Sequence, residues 1–197
     1  MMDRVRYFLA ALHIVTLPCG VLYWFLIHPF ARGWRKLGPL RTYLIVLPAM
    51  AGLGILLFRW RSQLIGADLG TNWILVVIAI VLFVPMFWVE HEYKKHLSFA
   101  ILSGFQELSP QGTQPGRMLD QGIYRVVRHP RYLSAGIGVI AGALIANYLG
   151  VYILLSLLLP MGYALVRLEE RELIDRFGDQ YRQYRHKVPA IIPRWRR

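Results

Sequence analysis

Cysteine and acidic residues are scarce in this chain. Its 197 residues include a single cysteine, Cys19, which excludes an intrachain disulfide and a cysteine-based metal cluster. There are 11 Asp and Glu residues against 23 Lys and Arg residues, so the formal net charge is +12. Charged residues make up only 17% of the chain and hydrophobic residues 56%, with a mean hydropathy of +0.40. This composition is too apolar for an ordinary soluble domain.

Several catalytic signatures are also missing. There is no Gly-x-Ser-x-Gly elbow, no phosphate-binding loop and no Rossmann glycine fingerprint, so a nucleotide-like cofactor must be held in another way. His91 and His96 are five residues apart and do not share a helical face, and we predict no metal site. The Lys and Arg residues are spread over loops between apolar runs, which argues against nucleic-acid binding and for the positive-inside rule and attraction to anionic lipid.

Long apolar runs are abundant instead. They cover about residues 7–27, 42–58, 72–89, 132–147 and 151–166. Spanning a bilayer takes roughly 20 apolar residues in a helix. We therefore expect an all-α integral membrane protein with about five transmembrane helices in one domain. Residues 1–90 form its N-terminal helices, and residues 91–197 form a polar connector, a helical hairpin and a cytoplasmic amphipathic tail.

The last two runs are separated by only three uncharged residues, Tyr148, Leu149 and Gly150. Such a tight turn predicts an antiparallel hairpin whose turn faces away from the cytoplasm, whereas the basic loops at 32–41 and 90–131 and the C-terminal tail are cytoplasmic. Five spans then place the N-terminus outside, although Arg4 and Arg6 argue against that placement. An apolar island at residues 97–105 is too short to span, and re-entrant, interfacial and pocket-lining positions all remain open for it.

Two polar clusters flank this hairpin, one at residues 119–132 and the other at residues 167–172. An antiparallel hairpin brings them to the same membrane face, and ionisable residues at such a junction are candidates for function. The alternative is structural: Arg125, Arg128 and Arg131 anchor the membrane interface, and an Arg–Glu pair closes a helix end.

The tail has an amphipathic pattern. Five apolar or aromatic residues recur every three or four positions and share one helical face: Ile174, Phe177, Tyr181, Tyr184 and Val188. We expect Gly178 to end one helix and Asp179 to cap the next. The pattern fits a helix lying on the membrane surface, or a helix that folds back over a site.

The run Gly122-x-Tyr124-x-x-x-Arg128-His129-Pro130-x-Tyr132 resembles the signature of the isoprenylcysteine carboxyl methyltransferase family, and related membrane phospholipid methyltransferases carry similar residues. The resemblance extends through the Glu169-Glu170 pair and the tail to residue 193. It implies an S-adenosylmethionine-dependent methyltransferase. It also implies that the last two helices and their adjoining segments hold the cofactor, with these contact residues: Arg117, Met118, Leu119, Tyr124, His129, Pro130, Tyr132 and Glu170. A carboxylate suits the cationic groups of that cofactor, and His, Arg or backbone donors suit its carboxylate.

Arg167 and Glu170 are the candidate catalytic residues. Arg167 lies near the position of a family arginine that holds a substrate carboxylate, and its alternative role is that of an interface cation. The acceptor remains open among a prenylcysteine-type carboxylate, a phospholipid amine and a thiol. The rival functions are an NADPH-dependent membrane reductase of the sterol-reductase type, which needs more spans than this chain offers, and a non-catalytic membrane protein.

Overall fold

The computed structural model describes residues 1–96, 108 and 118–194, and helices form most of that part of the chain. The described helices, in chain order, are α1 (Met2–Ile27), α2 (Ala31–Leu37), α3 (Pro39–Arg59), α4 (Arg61–Ile65), α5 (Trp73–Lys94), a 3₁₀ turn (Gly122–Arg125), α6 (Pro130–Ala146), α7 (Leu149–Phe177) and α8 (Asp179–Lys187).

Four of these helices, α1, α3, α5 and α7, are long and apolar enough to cross a bilayer. A fifth, α6, is a shorter apolar helix of 17 residues. The expectation of an all-α integral membrane protein with about five spanning helices is therefore confirmed.

Helix α7 continues well past residue 166, where its apolar run ends. Residues 167–177 are rich in Arg, Leu and Glu, which favour helices, and they contain no Gly or Pro. The helix ends where Gly178 adopts a positive φ of 57°. The predicted cap is wrong in detail: Gly178 is the N-cap of α8, and Asp179 is the first residue inside it. The Asp179 carboxylate accepts a hydrogen bond from Arg182 at 2.7 Å and caps no backbone N–H.

The turn between α6 and α7 is tightly packed. Asn147 has a left-handed φ of 52°, and its side-chain amide donates to the carbonyl of Gly70 at 2.8 Å. A Cβ added at Gly150 would lie 1.9 Å from the carbonyl oxygen of Leu64, so only glycine permits this approach of the turn to α4. Helix α6 packs mainly against α5, and α1 contacts α3, α6 and α7.

Helix α1 is fixed at both ends of the molecule. At the end with the hairpin turn, called the turn end here, Arg6 is 1% exposed and forms an ion pair with Asp68. Its Nε also donates to the carbonyl of Ala146 at 3.2 Å. At the opposite, polar end, His28 follows α1 and lies 3.3 Å from Glu172 of α7. The burial and pairing of Arg6 explain why this cation is compatible with its position in α1.

Candidate active site

The two polar segments predicted from the sequence meet at the polar end. Arg128 and His129 directly precede α6, and Glu170 lies near the end of α7. The Nε of Arg128 donates to Oε1 of Glu170 at 3.0 Å, and Nε2 of His129 lies 3.5 Å from the same oxygen. The antiparallel hairpin therefore brings together residues about forty positions apart, as expected.

Glu170 is buried among cations. It is 2% exposed, and besides Arg128 and His129 it has Arg185 Nε 3.3 Å from Oε2. Arg167 is more distant, with Nη1 3.9 Å from Oε2 and a side chain 48% exposed. A buried carboxylate is stable only with such partners, because desolvation of an unpaired charge is costly.

Arg128 connects this carboxylate to the tail. Its side chain is 8% exposed, and its Nη1 donates to the carbonyls of Arg185, at 2.9 Å, and of Val188. The backbone continues the connection, because the N–H groups of Arg128 and His129 donate to the carbonyls of Pro189 and Ala190, both at 2.9 Å. Of the two alternatives for the tail, the structure shows the one in which it folds back.

Three buried tyrosines lie where the tail meets the segment before α6: Tyr181 and Tyr184 belong to α8, and Tyr124 belongs to the 3₁₀ turn. The hydroxyl of Tyr184 donates to the carbonyl of Tyr124 at 2.5 Å, and Tyr181 is 2% exposed. Burial raises the pKa of Tyr124, Tyr181 and Tyr184 well above the ordinary value. All three therefore remain neutral at physiological pH.

The remaining predicted cofactor residues differ in burial. Pro130 is fully buried as the first residue of α6, and the ring of Tyr132 approaches His129 edge-on at 5.8 Å. Leu119 packs against a core that includes Val127, and Met118 is half-buried. Arg117 and the island at residues 97–105 lie outside the described residues. The assigned roles of all these residues stay predictions.

The sequence does not identify two residues that contact Glu170, Arg128 and Arg185, as functional candidates. The sequence pattern indicates only an interface anchor at Arg128, although its place beside His129, in a segment predicted to face Glu170, also points to the site. Arg185 carries no comparable signal, because its contact with Glu170 depends on the tail folding back. Arg185 follows Tyr181 and Tyr184 within α8, and these two tyrosines face the segment before α6.

A second polar cluster lies on another side of α7. Glu172 accepts from Arg35 of α2 at 2.5 Å, and His28 lies 3.3 Å from it. Arg32 and Asp175 are 3.5 Å apart at the rim of a cleft of about 420 Å³ that these residues line. These contacts place the α1–α2 corner beside the polar end of α7.

The site around Glu170 fits the methyl donor that the resemblance implies. Nε2 of His129 is buried, and its contact with Oε1 of Glu170 at 3.5 Å lies at the outer limit of a hydrogen bond, with no closer partner among the described residues, so it can still contact a ligand. Glu170 would offer a carboxylate to the cationic groups of that cofactor, and Tyr124 and Tyr132 would offer aromatic rings to its purine. Within the described residues, no three His, Cys, Asp or Glu side chains are placed to hold a metal ion.

Comparison with known proteins gives one family and several relatives. The model of the family described as phospholipid methyltransferase matches residues 74–180, more than half of the chain. Methanethiol S-methyltransferase 1 of Bradyrhizobium diazoefficiens is 30% identical over 168 residues, which cover 81% of this chain and 56% of that protein. Methanethiol S-methyltransferase of Pseudomonas deceptionensis is 25% identical over 186 residues, covering 85% of this chain and 66% of that protein.

A third relative matches a shorter stretch. Protein-S-isoprenylcysteine O-methyltransferase of Schizosaccharomyces pombe is 36% identical over 77 residues, which cover 39% of this chain and 33% of that protein. The chain thus spans less than two thirds of the length of these relatives. No solved structure matches it.

Proposed function

This chain belongs to the phospholipid methyltransferase family, and on that premise we propose that it is an S-adenosylmethionine-dependent methyltransferase acting on a hydrophobic acceptor at the membrane. One observation carries the proposal: the ion-paired Glu170 next to His129, whose buried Nε2 makes only a long contact of 3.5 Å with that carboxylate among the described residues. A buried ring nitrogen with so weak a contact still has hydrogen-bonding capacity for a ligand.

The roles of the protein groups follow from their charges. Glu170 attracts the cationic part of the cofactor, and Arg128 and Arg185 hold its carboxylate in place. His129 Nε2 is available for a polar atom of the cofactor, and Tyr124 and Tyr132 form an apolar wall for the adenine ring. The folded tail covers this region and excludes water, which strengthens these electrostatic interactions.

When bound, S-adenosylmethionine supplies a methyl group on a positively charged sulfur. That methyl group would pass to the acceptor atom, with S-adenosylhomocysteine as the second product. The protein mainly holds the two reactants in line, because a thiolate or carboxylate acceptor needs no general base at the moment of transfer. A thiol loses its proton to solvent before the transfer.

We propose a thiol as the acceptor. The relatives that align with more than four fifths of this chain are named for methanethiol, whereas the isoprenylcysteine enzyme aligns over 39% of it. Arg167 is then an interface cation that approaches Glu170, and no carboxylate-binding role is assigned to it. A prenylcysteine carboxylate and a phospholipid amine are the competing acceptors.

A methyl-transfer assay tests this proposal. The full chain in detergent or in vesicles is incubated with S-adenosylmethionine radiolabelled in its methyl group and with a short alkyl thiol, a prenylated cysteine or phosphatidylethanolamine. We expect label in the thioether product of the thiol. Label only in a methyl ester or in a methylated amine would replace the thiol by another acceptor, and no transfer to any of the three would contradict the proposed activity.

Binding tests the cofactor separately. Isothermal titration with S-adenosylhomocysteine should show saturable binding, and His129→Ala should weaken it by about 1–3 kcal/mol, the cost of losing a hydrogen bond to a charged group. The matched control is His91→Ala, since His91 is exposed on α5. Equal affinities in wild type and His129→Ala would contradict the assignment. Binding of NADPH without S-adenosylhomocysteine would favour a reductase, and binding of neither a non-catalytic protein.

We also propose that the polar end, with the C-terminal tail, faces the cytoplasm. The basic residues of α2, of the segment before α6 and of the tail all lie at this end, as the positive-inside rule requires. In a Cys19→Ala background, Arg182→Cys should react with an impermeant maleimide only after the cells are opened. Leu69→Cys, an exposed position at the turn end, should react in intact cells. The reverse pattern would invert the orientation.

A further inference from the structure

A basic cleft lies on the outer side of the tail at the polar end. Its volume is about 700 Å³. One wall comes from the 3₁₀ turn and the residue after it, and the other comes from the end of α8 and the chain beyond it. The residues that line it are Arg125, Val126, His186, Lys187, Val188, Pro189 and Arg194.

The described lining of this cleft carries positive charge. No Asp or Glu is among its lining residues, and its cations Arg125, Lys187 and Arg194 are exposed. Within the described residues, none of these three forms an ion pair. Other arginines at the polar end do have acidic partners: Arg35 pairs with Glu172, and Arg182 pairs with Asp179. Cations that converge from two separate segments without an acid attract an anion strongly.

We propose that this cleft binds a phosphate group, either in the headgroup of an anionic phospholipid or in a soluble phosphate. Phosphate oxygens accept several charged hydrogen bonds at once, and arginine and lysine are the side chains that supply them. The cleft is wide enough for a headgroup and lies next to the start of α6, one of the apolar helices. The proposal stands on this geometry and does not depend on methyl transfer.

A bound phosphate would also affect the neighbouring site. Val188 and Pro189 line the cleft, and their carbonyls accept hydrogen bonds from Arg128, the partner of Glu170. A phosphate that contacts Arg125 on one wall and Lys187 on the other holds the tail against the 3₁₀ turn. The ligand therefore stabilises the folded-back position of the tail.

Isothermal titration on the full chain in a nonionic detergent tests this. The probes are dihexanoyl phosphatidylglycerol, inorganic phosphate and the zwitterionic dihexanoyl phosphatidylcholine. We expect saturable binding of phosphatidylglycerol at one site, weakened about 30-fold by Lys187→Gln with Arg194→Gln. The matched control is Lys36→Gln with Arg41→Gln, which removes two exposed positive charges from α2 and the start of α3 and should change little.

The probes separate the two sources of phosphate. Binding of phosphatidylglycerol alone identifies a lipid headgroup, and comparable binding of inorganic phosphate identifies a soluble ligand. Equal weakening in both double variants, or no saturable binding of either anionic probe, overturns the proposal in favour of diffuse attraction to the whole basic surface. The charge-preserving pair Lys187→Arg and Arg194→Lys should bind like wild type, and loss of binding there would also overturn it.

Discussion

Replacing Glu170 by Gln removes one negative charge while keeping the shape of the side chain. In the folded protein this carboxylate is 2% exposed and has Arg128, His129 and Arg185 around it. The variant therefore leaves Arg128, whose side chain is 8% exposed, without its charged partner. Removing one member of a buried ion pair is strongly destabilising, because the other charge stays desolvated.

The size of the effect follows from what Arg128 retains. Breaking a buried pair costs about 3–5 kcal/mol. Arg128 keeps its hydrogen bonds to the carbonyls of Arg185 and Val188, and the amide oxygen of the new side chain still accepts one hydrogen bond. We therefore expect the lower end of the range, a loss of about 3 kcal/mol in the free energy of unfolding.

The assay is SDS-induced unfolding in mixed micelles, followed by far-ultraviolet circular dichroism. Glu169→Gln is the matched control, because it makes the same substitution one position earlier. The Glu169 side chain is 29% exposed and lies 3.7 Å from Nδ1 of His129, so its loss should cost less than about 1 kcal/mol. Arg128→Met combined with Glu170→Gln should cost less than the sum of the single changes. Equal effects of the two glutamate variants, or additivity in the cycle, would refute the reasoning.

Three further predictions concern the pH dependence of stability and the ion pair at the turn end. Burial raises the pKa of Tyr124 and Tyr184, so these tyrosines ionise in the unfolded chain before they ionise in the folded protein. Their contribution to stability should be full below about pH 10 and should fall as the pH rises further. A melting temperature that stays constant from pH 8 to 11 would count against this. The hydrogen bond from Arg6 lowers the pKa of Asp68, so its contribution should be full above about pH 4 and decline at lower pH. Asp68→Asn should lower the free energy of unfolding in SDS by about 1–2 kcal/mol, which is less than for a fully buried ion pair because the Asp68 side chain is 43% exposed. Asp3→Asn should cost clearly less, because the Asp3 side chain is 80% exposed.

The spanning helices were predictable because hydropathy depends on local composition alone. The ends of the helices were less so. Residues 167–177 are polar yet helix-forming, and a hydropathy run stops at residue 166 whether or not the helix does. The prediction that Asp179 caps α8 was wrong because the positive φ of Gly178 already separates the two helices. Helix α8 therefore begins at Asp179, and the Asp179 side chain lies inside the helix and not at its N-cap.

The meeting of His129 with Glu170 was predictable from topology, since a tight hairpin fixes which residues share an end. The contacts of Arg128 and His129 with the tail were not. They run from backbone N–H groups to the carbonyls of Pro189 and Ala190. Every residue other than proline carries the same backbone donor and acceptor, so such hydrogen bonds cannot be predicted from residue type. Arg185 reaches Glu170 only as a result of that folding.

The pairing of Arg6 has a consequence for how the chain is made. Asp3 is available to this arginine at once, but Asp68 is synthesised about 60 residues later, and the carbonyls of Ala146 and Asn147 come about 140 residues later. Until then Arg6 lacks part of its final set of partners, and an unpaired cation that becomes buried is costly. The complete set of contacts that holds Arg6 therefore forms only after the α6–α7 hairpin has been synthesised. Deleting that hairpin should release the N-terminal helix from its place as well as remove the site.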